Sequence, residues 1–219
     1  MSYPRHKTID HYLDKVRLHT EPYSATILGK EVRIHPGVMS PKYDRSSRIF
    51  LSLMNFPLKG KFLDMGCGTG IISLFAADHG AEELLAVDIN EAAVKNTKEN
   101  FDLHALANAQ VQYSDLFSGI KGSFDTIFFN APFHGNEAMD DLELGTSDLD
   151  YETLKRFFLE ARNYLAPDGQ LILGFSDMGN NELVREFAKR GGFSEVSLDT
   201  QNNGDWTAYL YTFERTLPH

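Results

Sequence analysis

The chain has 219 residues, of which 42% are hydrophobic and 24% charged, with a formal charge of −10. This balance is typical of a soluble globular domain, and 16 Phe and 9 Tyr exclude disorder as the main state. The single cysteine excludes an internal disulfide and a cysteine cage for a metal, and no apolar run reaches the roughly 20 residues of a membrane span.

The first 43 residues differ from the rest and are predicted to form a short appendage of strands and turns before a domain over residues 44–219. Gly29-Lys30 separates two short apolar islands and predicts a small hairpin. Residues 44–56 predict a helix that Pro57 ends. The N-terminus lacks the apolar core of a signal peptide, so we expect a cytoplasmic protein without a membrane contact.

From Lys61 onwards the sequence alternates between strand and helix patterns, which predicts an α/β fold with a mostly parallel sheet. Strands are expected at 61–65, 83–88, 110–114, 124–130 and 170–175, and helices at 71–79, 91–103, 151–165 and 182–190. Pro167-Asp168-Gly169 predicts a turn before the fifth of these strands. Segments 193–199 and 206–213 predict a C-terminal antiparallel hairpin, whose connection includes Asn203-Gly204 and exceeds a two-residue turn.

A glycine-rich loop follows the first strand of this sheet and opens the next helix. Its glycines allow sharp turns and close approach of a ligand, but their spacing is not the pattern of dinucleotide binders. An acid at its start suits a cationic amine or sulfonium better than a pyrophosphate. The alternative is a tight turn without a ligand. The loop consists of Asp64, Met65, Gly66, Cys67, Gly68, Thr69 and Gly70.

Two further acids end the next two strands. Asp88 can accept hydrogen bonds from both hydroxyls of a ribose, or else cap the following helix, a role that Asn90 can take instead. Asp115 can accept from an adenine amino group beside a backbone N–H donor, or else remain a solvated carboxylate at a strand end.

In this order the three segments resemble class I S-adenosylmethionine-dependent methyltransferases, over about residues 40–215. The resemblance implies a Rossmann-like, seven-stranded sheet with helices on both faces and S-adenosylmethionine as the cofactor. It implies that Gly66, Gly68 and Gly70 line the methionine part and that Asp64 positions the loop or the ligand amine. It also implies that Asp88 binds the ribose and Asp115 the adenine. Adjacent positions complete the expected cofactor-binding set: Met65, Cys67, Ile89, Leu116 and Asn130.

The fourth strand leads into Asn130, Ala131, Pro132 and Phe133, followed by His134. The turn is similar to the N-P-P-Y/F signature of methyltransferases that modify planar nitrogens. These include the glutamine methyltransferases of release factors and enzymes acting on exocyclic amines of adenine or guanine. Phe133-His134 also resembles the guanine-modifying ribosomal RNA enzymes, and segment 34–41 resembles the glutamine-modifying branch. Ala131 departs from the signature, which has proline there.

A planar amide nitrogen is a poor nucleophile, and acceptors aimed at its hydrogens favour the pyramidal geometry that methylation needs. The Asn130 side chain and the Ala131 backbone each supply a carbonyl, Pro132 stiffens the turn and Phe133 can stack on the acceptor. The alternative is a plain turn with a core phenylalanine. His134 is expected either to contact the substrate or to occupy a solvated loop.

Residues 134–151 form a long connection without Lys or Arg, interpreted either as a solvated mobile segment or as a lid that favours a cationic or neutral substrate. The leading prediction is an N-methyltransferase acting on a protein side chain or small metabolite. Nucleic acid is a less favoured partner, and the second interpretation is an RNA or DNA base methyltransferase. A third is a methyltransferase fold retained for binding alone. No metal is expected, and the oligomeric state stays open. The connection contains Glu137, Asp140, Asp141, Glu143, Asp148 and Asp150.

Overall fold

A computed structural model describes residues 7–54 and 56–216. The N-terminal stretch 1–6 judged for a signal peptide, Asn55 of the predicted helix 44–56, and the outer ends of both predicted domains lie outside the described residues. Along the described part of the chain, no helix combines the length and apolar character needed to cross a membrane.

The N-terminal part contains a helix where the sequence pattern predicts strands and turns. Helix α1 (Lys7–Arg17) precedes a hairpin of β1 (Tyr23–Ile27) and β2 (Lys30–Ile34), and helix α2 (Ser46–Leu53) follows. The hairpin is as predicted, whereas turns and strands were expected where α1 lies. Helix α1 is polar overall, and its stability comes from one buried stripe of Tyr12, Leu13 and Val16.

The remaining chain alternates between strands and helices as predicted. In chain order the elements are β3 (Lys61–Met65), α3 (Ile71–Asp78), β4 (Glu83–Asp88), α4 (Glu91–Leu103), β5 (Ala109–Tyr113), β6 (Phe124–Asn130), α5 (Glu152–Ala161), β7 (Leu165–Ser176), α6 (Asn181–Arg190), β8 (Phe193–Asn202) and β9 (Thr207–Arg215). Two short 3-10 turns, Glu143–Gly145 and Leu149–Tyr151, precede α5.

Seven strands form one sheet in the order β5-β4-β3-β6-β7-β9-β8. Strands β3 to β7 run parallel, and β9 pairs antiparallel with both β7 and β8. The predicted seven-stranded, Rossmann-like sheet with a C-terminal antiparallel hairpin is confirmed. Both faces are covered, since successive residues Ile127, Phe128 and Phe129 of β6 are all buried.

The topology brings the two predicted motifs together. After β3 the chain builds β4 and β5 on one side and then returns to place β6 on the other side of β3. Met65 pairs with Phe129, so the glycine loop and the Asn130 turn leave neighbouring strands at the same carboxyl edge. Such a reversal of strand order is where open α/β sheets bind ligands.

Strand β7 starts earlier than predicted. It begins at Leu165 and includes Pro167-Asp168-Gly169, which were expected to form a turn before a strand at 170. The pairing with β6 shifts register between Phe124 and Thr126, so the extra residues form an irregular bulge within the strand pair. A bulge tolerates proline because the ladder is already interrupted there.

Candidate functional site

A cavity of about 360 Å³ opens at the carboxyl edge of the parallel strands. It lies between the glycine loop, the ends of β4 and β5, and the turn after β6. Most of the residues selected from the sequence line it: Asp64, Met65, Gly66, Cys67, Gly68, Asp88, Ile89, Asp115, Leu116, Asn130, Pro132 and Phe133.

Three selected residues lie away from the cavity wall. A β-carbon at Gly70 would come within 2.9 Å of Thr97, so this glycine serves the packing of the loop against α4. Ala131 is buried and donates its N–H to the carbonyl of Gly174. His134 is also buried, in place of the exposed loop position that was one expectation.

The glycine loop combines a packed side with an open side. Gly66 has a φ of +66°, and a β-carbon there would lie 3.3 Å from the Phe129 ring. Gly68 has a φ of +56° and no atom within 4 Å of the position of its missing β-carbon. Glycine therefore permits the left-handed backbone at both positions, and at Gly68 it leaves room for a ligand next to the main chain.

Asp88 connects the end of β4 to this loop. One carboxylate oxygen accepts from the N–H of Gly68 at 2.9 Å and the other from the N–H of Asn90 at 2.9 Å. Asn90 caps α4 through the N–H of Ala92, as the sequence suggested it could. Asp88 also lines the cavity, and burial raises the pKa of this carboxyl.

Asp64 is almost completely buried under the glycine loop. Its Oδ2 accepts from the N–H of Ser73 at 3.1 Å and from the Ser73 hydroxyl at 2.7 Å. Burial raises the pKa of Asp64 to about 7, and the negative charge of Asp88 adds to the rise. In the structure Asp64 ties the loop to the first turn of α3.

Asp115 has an ion-pair partner, Arg156, that no sequence motif indicates. Arg156 of α5 places Nη1 3.1 Å from both carboxylate oxygens. The adjacent Leu116 lies in the left-handed region with a φ of +48°, and its carbonyl accepts from the Ser114 hydroxyl at 2.7 Å. The turn that would contact a base is thus held both by the Ser114–Leu116 hydrogen bond and by the ion pair of Asp115 with Arg156.

Asn130 is held by a residue that precedes it by 84 positions. Its Nδ2 donates to Ser46 Oγ at 3.2 Å, at the start of α2. Because the amino group of the side chain is engaged there, the carbonyl oxygen is the group left to face a ligand. Nothing local in the sequence marks Ser46, since its relation to Asn130 exists only in the folded chain.

Helix α1 and the acidic connection roof the cavity. Thr8 and Tyr12 line it from α1, while Leu142 and Gly145 line it from the connection. Leu142 packs in a small apolar cluster with Tyr12, Leu13 and Val16.

An ion-pair clasp closes this roof. Arg17 lies 2.8 Å from the carboxylates of both Asp140 and Glu143. Asp148 accepts from the N–H groups of Thr153 and Leu154 at the start of α5. The connection is thus folded and partly buried, unlike the solvated segment that was one of its two interpretations.

The described residues contain no group of three or more His, Cys, Asp or Glu side chains placed to hold a metal ion. The chemistry of the cavity instead comprises a glycine cradle, two strand-end carboxylates and an oriented carboxamide. This donor set fits an adenosine-containing ligand with a cationic amino acid part, because carboxylates accept from hydroxyl and amino groups.

Fold and site together define the chain as an S-adenosylmethionine-dependent methyltransferase, and the comparisons with known proteins give its family. The family model described as the methyltransferase small domain matches residues 29–196, and the chain belongs to this family. The predicted family and the predicted cofactor, S-adenosylmethionine, are both confirmed.

Two groups of curated relatives differ in their named substrates. The ribosomal RNA small subunit methyltransferase C of Photobacterium profundum is 33% identical over 82% of this chain and 48% of its own length. A putative protein N5-glutamine methyltransferase of Methanocaldococcus jannaschii is 35% identical over 78% of this chain and 89% of its own length. The chain thus spans about half the length of the ribosomal RNA relative.

Solved structures agree with the fold. A methyltransferase from Pyrococcus furiosus superposes with a TM-score of 0.67 over 95% of this chain and 97% of its own, at 17% identity. A 16S rRNA N2 G1207 methyltransferase of T. thermophilus, in complex with AdoMet and guanosine, gives a TM-score of 0.63 at 25% identity. That match covers 90% of this chain and 50% of the other.

Proposed function

We propose that this protein transfers a methyl group from S-adenosylmethionine to the carboxamide nitrogen of a protein side chain. The observation that carries the transfer to a planar nitrogen is the orientation of Asn130. Its amino group is engaged by Ser46, and its carbonyl oxygen is left as a hydrogen-bond acceptor at the end of the strand next to the glycine loop.

The proposal gives each cavity residue a role toward the cofactor. When bound, S-adenosylmethionine supplies an electrophilic methyl group on a sulfonium. Asp88 would accept hydrogen bonds from the ribose hydroxyls, and the Leu116 N–H and Asp115 would contact the adenine. The main chain from Met65 to Gly68 borders the methionine part, where the open space at Gly68 allows close approach.

On the acceptor side, Asn130 binds a hydrogen of the reacting nitrogen. The lone pair of an amide nitrogen is delocalised, so the nitrogen must pyramidalise before it attacks a methyl group. A carbonyl aimed at its N–H stabilises that geometry, as does a main-chain carbonyl of the turn. Pro132 and Phe133 form the wall beside it. The nitrogen releases its proton to solvent after transfer, so no base is needed, and the buried His134 has no such role.

Charge and similarity to a named protein methyltransferase support a protein acceptor over a nucleic acid. The chain carries a net charge of −10, and acids surround Arg17 at the roof of the cavity: Asp10, Asp14, Asp140 and Glu143. A relative that the chain matches over 89% of its length, at 35% identity, is named as a putative protein N5-glutamine methyltransferase. We also propose a cytoplasmic location, which the need for S-adenosylmethionine supports.

A second candidate is methylation of an exocyclic amine in RNA. It is supported by Phe133-His134 and by the ribosomal RNA methyltransferases among the relatives. The Asn130 geometry serves an exocyclic amine as well as an amide, so the two candidates share a mechanism and differ in their substrate.

An unbiased methylation assay separates them. The protein is incubated with S-adenosylmethionine carrying a tritiated methyl group and with cell extract, and the products are digested with protease or ribonuclease. We expect label that survives ribonuclease, is released by protease and maps to a side-chain amide by mass spectrometry. Label removed by ribonuclease alone would favour the RNA candidate, and an Asn130→Ala variant gives the background.

A further inference from the structure

The structure points to Asp44 and Ser46 as positioning residues that fix which way the Asn130 carboxamide faces. This inference rests on the proposed function, because it explains how the carbonyl of Asn130 is presented to the acceptor nitrogen. Both residues lie outside the glycine loop and the Asn130 turn, at the point where the N-terminal part of the chain enters α2.

The three side chains form a continuous chain of hydrogen bonds. The Ser46 hydroxyl donates to Asp44 Oδ2, and Asp44 Oδ1 accepts from the Ser46 N–H at 2.9 Å. Asn130 Nδ2 then donates to Ser46 Oγ at 3.2 Å. Ser46 is 5% exposed, so water does not readily replace these partners.

The direction of each bond follows from the charge at one end. An ionised carboxylate only accepts hydrogen bonds, so it fixes the hydroxyl hydrogen of Ser46 on the Asp44 side. The Ser46 oxygen can then only accept from Asn130. A flipped carboxamide would place its carbonyl oxygen against the Ser46 lone pairs and lose that hydrogen bond.

The direction of these hydrogen bonds determines which group of Asn130 faces an acceptor in the cavity. With the Ser46 hydroxyl donating to Asp44, Asn130 directs its carbonyl oxygen toward the ligand side and can bind an N–H of the reacting nitrogen. A flipped amide would oppose that N–H with its own N–H groups. Asp44 and Ser46 therefore select for an acceptor nitrogen that carries hydrogen, without touching it.

Asp44→Asn tests the direction of the bonds while it keeps an oxygen beside the Ser46 N–H. The carbonyl oxygen of an asparagine can still accept from the N–H of Ser46. Its amino group, however, can donate to the Ser46 hydroxyl, which frees the hydroxyl hydrogen to favour the flipped Asn130. We expect kcat to fall about tenfold, the factor for one net hydrogen bond, with cofactor Kd unchanged.

Ser46→Ala removes the link and should lower kcat by a similar factor, whereas Ser46→Thr retains a hydroxyl and should restore most of it. Ser52→Ala is the matched control, because this hydroxyl of the same helix bonds the Ile49 carbonyl. The readouts are transfer of tritiated methyl to the extract fraction that the wild type labels, and the side-chain amide NMR signals of Asn130, identified by their absence in Asn130→Ala.

The inference is overturned if Asp44→Asn and Ser46→Ala both transfer methyl at the wild-type rate and leave the Asn130 amide signals unshifted, while Asn130→Ala transfers methyl more slowly. That result would leave the proposed function standing. Wild-type transfer by Asn130→Ala would instead refute the proposed function. Should Ser46→Ala not fold, Asp44→Asn and the Asn130 amide signals decide the question.

Discussion

At the scale of single residues, the site depends on carboxylates with different environments. Asp88 binds the main chain with both oxygens and still borders the cavity, whereas Asp64 is buried and bound to Ser73. The glycine motif and both acids could be selected from the sequence, because each lies at or just beyond the carboxyl end of a predicted strand. Arg156 and Ser46 could not, because each reaches its partner only through the tertiary fold.

Asp88→Ala should weaken S-adenosylmethionine binding by roughly 1.5–3 kcal/mol, the value of a hydrogen bond to a charged group. The loss includes the anchoring of Gly68, whose N–H donates to Asp88. Isothermal titration measures it, with the exposed Asp102→Ala of α4 as the control. An unchanged Kd would show that Asp88 does not bind the cofactor.

Asp64 predicts a pH dependence of stability. Its pKa is about 7 in the folded protein against an ordinary 3.8. Between these values the folded chain keeps a proton that the unfolded chain releases, so the contribution of Asp64 to stability falls as pH rises. The free energy of unfolding of Asp64→Asn should therefore rise relative to that of the wild type between pH 4 and pH 7, by up to about 4 kcal/mol. Urea unfolding at each pH measures this free energy. If it changed with pH in the same way for both proteins, the raised pKa of Asp64 would be contradicted.

At the scale of elements, the strands and helices of the sheet follow from hydrophobic periodicity, but the roof does not. Helix α1 is mostly polar, and its apolar stripe becomes evident only against Leu142 of the connection. In the same way Glu143 looks like a surface acid in the sequence, yet its side chain is 2% exposed beside Arg17. These elements are stabilised by each other, so neither is predictable alone.

Arg17→Gln should loosen the roof without unfolding the domain. It removes the cation between Asp140 and Glu143, which leaves acidic groups near one another at the cavity entrance. We expect faster cleavage within residues 134–151 and a faster release of S-adenosylmethionine. Thermolysin is the suitable protease, because this segment contains no Lys or Arg for trypsin to cleave at. Arg185→Gln, which breaks the distant ion pair with Glu195, is the control. Equal cleavage rates in both variants would show that the clasp does not hold the roof.

At the scale of the whole molecule, strand order explains why distant motifs share one cavity. The return of the chain from β5 to β6 places the Asn130 turn beside the glycine loop, and alternation of strands and helices was enough to predict this. The division into an appendage over residues 1–43 and a domain over 44–219 stays a prediction. In the structure β2 contacts α4 through Arg33 and Asn100, so the two parts share side-chain contacts.

The overall charge predicts how the activity responds to salt. A protein acceptor should be methylated at nearly the same rate as salt rises from low to physiological concentration. A nucleic-acid acceptor should show a steep loss, because each neutralised phosphate adds nearly one unit to the slope of log K against log salt. Initial rates across a potassium chloride series measure that slope, and a slope of several units would favour the RNA candidate.

The most direct test of the account is methyl transfer by Asn130→Ala in a single turnover, with equilibrium binding of S-adenosylmethionine measured on the same preparation. Removal of one preorganised polar group from a reaction site costs on the order of 10²–10³ in rate, and the carbonyl of Asn130 acts mainly as the acceptor nitrogen pyramidalises. We predict a rate lower by that factor with a nearly unchanged cofactor Kd. A folded Asn130→Ala protein that transfers methyl at the wild-type rate would contradict the account.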